Sequence, residues 1–147
     1  MLDEAHALGA DMACTPEITN LLTASRDHQR AVLRTEGEDP VLAGVRQAAA
    51  ELGMWVAIGS LALKTGAADG RFANRSFLID AQGGIVARYD KIHMFDVHLS
   101  DGEVYRESAA FRPGDSAVVA DTPWGRIGLT ICYDLRFPVW SSMQGTD

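Results

Sequence analysis

The chain has 147 residues, enough for one domain with a sizeable hydrophobic core and too few for two. Hydrophobic residues make up 47% and charged residues 22%, the mixture of a globular rather than a disordered protein, and the net charge of −7 disfavours a nucleic-acid partner. The apolar stretch Met54–Leu63 is about half as long as a membrane span, and two cysteines make no disulfide framework, so we expect a cytoplasmic protein without a membrane partner.

The first half of the sequence alternates helical and strand patterns. Apolar residues at helical spacing predict a helix over Leu2–Gly9, which the glycine ends. Met12–Thr15 predicts a short buried strand that ends at Pro16. A second helix is predicted over Pro40–Gly53, with proline at its first position and glycine after its last. The next segment, Met54–Leu63, predicts a strand buried on both faces, because its polarity does not alternate.

The second half begins with a predicted β-hairpin. Its strands are Asn74–Asp80 and Ile85–Tyr89, joined by a glycine-containing turn, and Lys91 follows directly after the return strand. The segment His93–Pro113 shows no sustained period and predicts a long loop. In a compact domain, a loop of that length usually serves a function.

A second hairpin, formed by Ser116–Asp121 and Arg126–Ile131, delivers Cys132 to the end of its last strand. The order of helices, strands and hairpins predicts an α/β fold with antiparallel additions. Glu17, Lys91 and Cys132 each follow a predicted strand end. In open α/β sheets that edge is where ligands bind, so these side chains are candidates for one site.

Taken singly, each candidate also has an ordinary structural explanation. A nucleophile at Cys132 would gain backbone N–H groups as oxyanion donors, but an arbitrary cysteine is more often simply buried. We assign that buried role to Cys14, inside a short apolar strand. Taken alone, Lys91 is interpreted as a solvated loop lysine and Glu107 as a surface carboxylate. Glu17 is interpreted as a glutamate in the first turn of a helix, where the helix dipole favours it.

Four strings of sequence change this interpretation when they are considered together. They are PE at Pro16-Glu17, YDKIHMFD at Tyr89–Asp96, YRES at Tyr105–Ser108 and ICYDLRFP at Ile131–Pro138. The order and spacing of these four strings resemble those of the nitrilase superfamily of carbon–nitrogen hydrolases. The resemblance covers essentially the whole chain, up to about Pro138. The resemblance is closest to the branch of small amidases that includes deaminated-glutathione amidase and omega-amidase.

The resemblance implies a catalytic role for each of four residues. Glu17 corresponds to the general base that takes the thiol proton and later activates water. Lys91 corresponds to the cation that stabilises the tetrahedral intermediate, and Cys132 to the nucleophile that forms a thioester. Glu107 matches a second glutamate that orients Lys91 and the substrate. The chemistry agrees, because a thiol with an ordinary pKa near 8.5 needs a base or cation to react at neutral pH.

The implied reaction is hydrolysis of a linear carboxamide on a small carboxylate-bearing substrate, with release of ammonia. The backbone N–H of Tyr133 and the side chain of Arg136 are expected to bind the oxyanion and the substrate. The resemblance implies no metal and no cofactor, a small-molecule amide as the partner, and homo-oligomers in the full-length family. A carbamoylase or a nitrilase is the alternative among enzymes.

The chain also departs from the family pattern. Family domains are nearly twice as long and fold as an α-β-β-α sandwich, so residues 1–147 are expected to be a single, incomplete carbon–nitrogen hydrolase domain, a partial sandwich. His98 and Ser100 stand where the small amidases usually have Asp and Pro. An inactive fragment or interaction module is therefore the alternative of a different class. Expressed alone, the chain is expected to be poorly soluble and to have little or no activity.

Three other kinds of site compete with this one. Cys132 and His93 would make a papain-like pair, although the cysteine signature of that family is absent. His93, Asp96 and His98 would make a metal site, but their spacing is loose and no further acidic or cysteine cluster supports it. The glycines of Gly66–Gly70 lack the lysine of a phosphate loop.

Overall fold

A computed structural model describes residues 1–98, 100 and 102–137, so Pro138, the last residue of the fourth string, lies outside the described part. The α-helices α1 to α3 are Leu2–Ala7, Arg26–Val32 and Pro40–Leu52, and short 3-10 helices cover Glu36–Glu38, Glu107–Ala109 and Cys132–Arg136. The strands β1 to β9 are Met12–Cys14, Trp55–Lys64, Phe72–Ile79, Ile85–Asp90, Asp96–His98, Val104–Arg106, Phe111–Arg112, Val119–Thr122 and Gly125–Gly128. Within these residues the longest helix has 13 residues, and none is long and apolar enough to cross a bilayer.

The main sheet contains five of the described strands. β1 runs parallel to β2, whereas β2, β3 and β4 are successive antiparallel neighbours. β7 pairs in parallel with the first residues of β3, at Phe72 and Ala73. β5 with β6, and β8 with β9, form separate hairpins. The mixture of helices with parallel and antiparallel strands confirms the expected α/β class.

Helix α3 forms where the sequence signals place it. The carboxylate of Asp39 caps the helix by accepting a 2.9 Å hydrogen bond from the backbone N–H of Leu42. Pro40 occupies the first helical position, where no N–H is needed, and Gly53 ends the helix with a φ of +62°. The buried side chains of Leu42 and Ala49 then pack the helix onto the sheet.

Two hydrophobic clusters lie on opposite faces of the sheet. Because side chains alternate along a strand, Phe77 and Ile79 of β3 pack with α3, whereas Leu78 packs towards the β8–β9 hairpin. All three side chains have an exposed fraction of 0%, and each contributes about 2–3 kcal/mol through burial. β2 alternates in its first half and is buried on both faces only in its second half, so the expected two-sided burial holds for that half.

The buried role expected for Cys14 is wrong. β1 is only half-buried, and Cys14 is exposed. Ala13 packs against the cluster on the helix side of the sheet, so the alternation of the strand turns Cys14 to the other face. The apolar composition of Met12–Thr15 indicated the strand correctly but not which of its faces is covered.

The long loop predicted over His93–Pro113 contains regular structure. The three-residue strands β5 and β6 pair with each other, and β7 joins the main sheet. These strands are mostly exposed, so they carry no apolar alternation that a sequence pattern could reveal. The last strand, β9, ends at Gly128, earlier than predicted, and Cys132 therefore begins a 3-10 helix rather than directly following a strand.

Candidate active site

Four side chains singled out in the sequence line one cavity of about 380 Å³. Glu17 follows β1, Lys91 follows β4, Glu107 begins the 3-10 helix after β6, and Cys132 begins the last described 3-10 helix. The pairing of β1, β2, β3 and β4 in one sheet brings the first two of these segments to the same edge. The structure thus places all four residues together.

The ammonium of Lys91 lies at the centre of the cluster. Its Nζ donates to Glu17 Oε1 at 2.9 Å and lies 3.0 Å and 2.9 Å from the two carboxylate oxygens of Glu107. The side chain is only 2% exposed. Burial by itself would lower the pKa of Lys91, but the hydrogen bonds to Glu107 and Glu17 raise it overall. The site therefore holds a buried amine that stays charged at neutral pH.

The carboxylate of Glu17 has three polar neighbours. Besides Lys91, Asn74 of β3 donates from Nδ2 to Glu17 Oε1 at 2.8 Å, and the thiol of Cys132 lines the same cavity close enough to lower the pKa of Glu17 slightly. Burial by itself would raise the pKa of Glu17, but the bonds from Lys91 and Asn74 lower it overall. Glu17 is therefore an ionised acceptor in the same cavity as the thiol.

The loop that carries Glu17 crosses β2 at close range. A Cβ atom at Gly59 would collide with the backbone of Thr15, so glycine is required there. Ser60 Oγ accepts a 2.8 Å hydrogen bond from the backbone N–H of Ile18. Ile18 has a φ of +53°, in the left-handed region that β-branched residues rarely adopt. Backbone strain is therefore located directly beside Glu17, where the contacts with β2 hold it.

Glu107 is held in position by hydrogen bonds other than those from Lys91. The backbone N–H of Phe95 donates to Glu107 Oε2 at 2.7 Å, and Asn74 Nδ2 lies 3.2 Å from Oε1. Asn74 therefore bridges the two glutamates, and Glu107 is 15% exposed. These bonds give Lys91 a second anion whose position does not depend on the ammonium alone.

Cys132 has an unusual backbone conformation. Its φ is +48°, and such left-handed non-glycine residues cluster at functional sites. Although the residue is exposed, partial burial of the sulfur raises the pKa of Cys132, and the charge and hydrogen bond of Glu17 raise it further, while Lys91 opposes them. The resting thiol is therefore protonated at neutral pH and needs a base before it can act as a nucleophile.

Asp134 connects the Cys132 turn to the rest of the domain. Its fully buried carboxylate accepts hydrogen bonds from the backbone N–H groups of Ile131 and His93, both at 2.9 Å, and from the Tyr89 hydroxyl at 2.7 Å. Burial by itself would raise the pKa of Asp134, but these hydrogen bonds lower it overall. The ionised carboxylate thus ties the turn to the segment around Lys91.

Tyr133 and Arg136 differ in their relation to the cavity. Tyr133 follows Cys132, and its ring packs edge-on against Phe95, with centroids 5.2 Å apart. Arg136, at the end of the same 3-10 helix, is exposed and is not among the described residues that line the cavity. Both functional assignments remain predictions.

The competing sites do not match this geometry. His93 Nδ1 lies 2.8 Å from Asp134 Oδ1, and the imidazole stacks on Phe137 with centroids 3.7 Å apart. His93 is not among the described residues that line the cavity with Cys132. Asp96 accepts a 3.0 Å hydrogen bond from the backbone N–H of Ser108. In the part of the chain that the structure describes, no group of three or more His, Cys, Asp or Glu side chains could hold a metal ion.

Sequence reasoning missed three residues that position the site. Asn74 is only 1% exposed and stands in an otherwise mostly apolar strand, and a buried amide of this kind needs hydrogen-bond partners. Asp134 lies in the fourth string, but its partners Tyr89 and His93 are distant in the sequence. Gly59, inside an apolar strand, was the available signal for a close backbone approach. The cluster that these residues support combines a thiol, a carboxylate base and a buried cation, which suits attack on a carbonyl carbon.

The sequence was compared with known proteins. A family model described as "Carbon-nitrogen hydrolase" matches residues 1–145. Deaminated glutathione amidase from Yersinia enterocolitica is 42% identical over 132 residues, which cover 88% of this chain and 46% of that protein. An omega-amidase from Xenopus laevis is 31% identical over 137 residues, which cover 93% of this chain and 48% of that protein. The chain thus spans a little under half the length of these relatives.

Solved structures show the same fold. The C. elegans NitFhit protein is similar with a TM-score of 0.85 and 28% identity, covering 98% of this chain and 35% of that one. A carbon-nitrogen hydrolase from Helicobacter pylori has a TM-score of 0.77 at 21% identity, and the match covers 97% of this chain and 47% of that chain.

Proposed function

Since the chain belongs to the carbon–nitrogen hydrolase family, we propose that it hydrolyses the carboxamide of a small carboxylate-bearing substrate and releases ammonia. The observation that carries this proposal is that the thiol of Cys132 lines the same cavity as Glu17 and Lys91, whose ammonium is hydrogen-bonded to the Glu17 carboxylate. Similarity to a deaminated glutathione amidase and to omega-amidases supports an amide as the substrate.

The first half-reaction forms an acyl-enzyme. Glu17 takes the thiol proton as the sulfur of Cys132 attacks the amide carbon. Lys91 stabilises the negative charge that develops on the carbonyl oxygen, and one such donor contributes about 3 kcal/mol to the transition state. The C–N bond then breaks, the proton on Glu17 passes to the leaving nitrogen, and ammonia departs. A thioester on Cys132 remains.

The second half-reaction regenerates the thiol. Water occupies the space that ammonia has left, gives a proton to Glu17 and attacks the thioester carbon. Lys91 again stabilises the oxyanion, the C–S bond breaks, and the proton on Glu17 returns to the sulfur of Cys132. The sum is one amide and one water converted into one carboxylic acid and one ammonia, so no redox partner is required.

The pKa shifts indicate when the first proton moves. The pKa of the Cys132 thiol is raised and that of Glu17 is lowered, so a thiolate beside a protonated Glu17 is unfavourable in the resting site. The proton therefore transfers while the S–C bond forms, as general-base catalysis requires. Lys91 then compensates the charge that moves from sulfur to oxygen.

Three further residues have proposed roles around this core. Glu107 holds the Lys91 ammonium in place through both of its carboxylate oxygens. The backbone N–H of Tyr133 serves as a second oxyanion donor, because it directly follows the nucleophile. Arg136 contributes to substrate binding from outside the described cavity.

We further propose that residues 1–147 form a single, incomplete carbon–nitrogen hydrolase domain and that the full-length protein is a homo-oligomer. The first proposal is supported by the family match over residues 1–145 and by the share of the relatives that the chain covers. The second rests on the family resemblance alone. The proposed cytoplasmic location rests on the cysteine content, because two cysteines make no disulfide framework.

The decisive experiment measures ammonia release from succinamate by the purified chain and by the same chain extended with the C-terminal half of a homologous amidase, each with Cys132→Ala as the matched control. We expect little or no release from the chain alone, and turnover that the substitution abolishes from the extended chain. N-carbamoyl-β-alanine and a small nitrile are assayed in parallel to distinguish a carbamoylase or nitrilase. Ammonia release by the extended chain that survives Cys132→Ala would refute the mechanism. No release by the extended chain above that of its variant, with any of these compounds, would favour the non-catalytic alternative.

A further inference from the structure

We infer that Arg26 binds the carboxylate of the substrate and so selects carboxylate-bearing amides over neutral ones. The inference rests on the proposed function, because it assigns a substrate group to the same cavity. Arg26 is the first residue of α2 and lines the cavity together with Cys132 and Lys91. A single small ligand could therefore contact both the thiol and the guanidinium.

The charge of Arg26 is not balanced by a carboxylate in the described part of the chain. Within residues 1–98, 100 and 102–137, no carboxylate forms an ion pair with it. Its neighbour on the helix, Arg30, forms an ion pair with Asp27 at 3.5 Å, and the side chain of Arg30 is 70% exposed. Arg26 is half-buried, and a partly desolvated guanidinium gains most from a bidentate carboxylate partner.

The local structure of α2 does not favour a cation at this position. The helix dipole is unfavourable to a positive charge in the first turn, and Arg30 lies one turn away with the same charge. Burial and the charge of Arg30 both lower the pKa of Arg26. The guanidinium therefore does not stabilise the helix, and an anion in the cavity would relieve both effects.

The charges that line the cavity support the same conclusion. Among the described residues that line the cavity, Glu17 and Glu107 against Lys91 leave a net charge of −1, which would repel an anionic substrate. Arg26 and Arg106 change the total to +1. Arg106 is exposed and lies opposite Asp96 in the β5–β6 pair, whose carboxylate already balances part of its charge. Of the cavity-lining residues that the structure describes, Arg26 is thus the cation that remains available to a ligand.

The test measures alkylation of Cys132 and does not require turnover. Two maleimides of similar size are compared, 3-maleimidopropionate, which carries a carboxylate, and N-propylmaleimide, which carries a methyl group in its place. Peptide mapping gives the rate at Cys132 and, as an internal control, at the exposed Cys14. The variants are Arg26→Gln, Arg26→Lys and Arg30→Gln, the last being the matched control on the same helix.

We expect the ratio of the two rates at Cys132 to fall about fivefold or more in Arg26→Gln, on the scale of one charged hydrogen bond partly exposed to water. Arg26→Lys should keep most of the ratio, and Arg30→Gln and the ratio at Cys14 should not change. An unchanged ratio in Arg26→Gln, or an equal fall in Arg30→Gln, would overturn the inference. The ratio decides the role of Arg26, whereas Cys132-dependent ammonia release decides the proposed function, so the two can fail separately.

Discussion

The ammonium of Lys91 donates a 2.9 Å hydrogen bond to the carboxylate of Glu17, a residue 74 positions earlier in the sequence. The same ammonium is shared with Glu107, so one buried cation balances two carboxylates. Removing any one of the three groups changes the charge of the site, with consequences for stability as well as for chemistry.

Replacing Lys91 with Met should destabilise the fold by about 2–4 kcal/mol, because it leaves two adjacent carboxylates without a cation. The range extends down to about 2 kcal/mol because Glu17 is 31% exposed, so that water screens part of the repulsion between the two carboxylates. Repulsion raises the folded-state pKa of these carboxylates above the unfolded value, so the deficit should be largest at neutral pH and shrink as pH falls below about 5. Urea unfolding at several pH values measures it.

The control for this prediction is the double variant Lys91→Met with Glu17→Gln. Removing one carboxylate should recover part of the lost stability, since only Glu107 then remains charged. If the double variant is as unstable as the single one at neutral pH, loss of packing rather than charge repulsion explains the effect.

Replacing Glu17 with Gln should lower the pKa of the Cys132 thiol and at the same time slow amide hydrolysis. The charge of Glu17 and its hydrogen bond both raise the pKa of Cys132, so the variant should have a lower thiol pKa. Alkylation of Cys132 by iodoacetamide should then rise at lower pH than in the parent chain. In the chain extended with the C-terminal half of a homologous amidase, the same substitution should reduce amide hydrolysis by about 100-fold or more, because the base is lost.

Rate profiles against pH for both chains measure this shift, with Glu51→Gln, an exposed site on α3, as the control. A thiol pKa that is unchanged or higher in Glu17→Gln would contradict the contact between the two side chains.

Cys132 should react with iodoacetamide faster than Cys14 does. Both cysteines are exposed, so accessibility does not distinguish them, and the raised pKa of Cys132 works against it. The expected preference therefore depends on Glu17 as a base and on Lys91 as a partner for the reagent's carbonyl oxygen. Quantitative peptide mapping of the native chain checks it, with urea-unfolded chain as the reference. Preferential labelling of Cys14 would count against Cys132 as the nucleophile.

The sequence predicted those parts of the fold that follow from local signals. Asp39, Pro40 and Gly53 mark the ends of α3 by capping and backbone preference, and the predicted first hairpin corresponds to β3 and β4. The site residues Glu17, Lys91, Glu107 and Cys132 were identified from residue order in four strings, and the fold places them in one cavity. Their catalytic roles remain predictions.

Other features depend on tertiary contacts that leave no local pattern. Helix α2, which carries Arg26, has no buried residue and so shows no apolar face in the sequence. The exposure of Cys14 depends on which face of the sheet is covered. Asn74 and Asp134 are polar residues whose partners lie far away in the sequence, so only the fold shows what they hold.

Asp134→Asn should weaken both the fold and the Cys132 turn. The carboxylate accepts hydrogen bonds from Tyr89, His93 and Ile131, and an amide of the same size turns two donor hydrogens towards those donors. We expect a loss of about 2–3 kcal/mol at neutral pH. The folded-state pKa of Asp134 is lowered, so its contribution is present above the unfolded pKa of about 4 and is lost as pH falls through the folded value.

The stability difference between the parent chain and Asp134→Asn should therefore narrow below pH ~4, which urea unfolding across that range would show. Asp121→Asn, at an exposed position in β8, is the control and should leave stability nearly unchanged. If Asp134 also positions the nucleophile, iodoacetamide should lose its preference for Cys132 over Cys14 in this variant under conditions where it remains folded. A variant that is destabilised but keeps the preference would limit Asp134 to a structural role, because the Ile131–Asp134 bond would then not be what holds the strained backbone at Cys132.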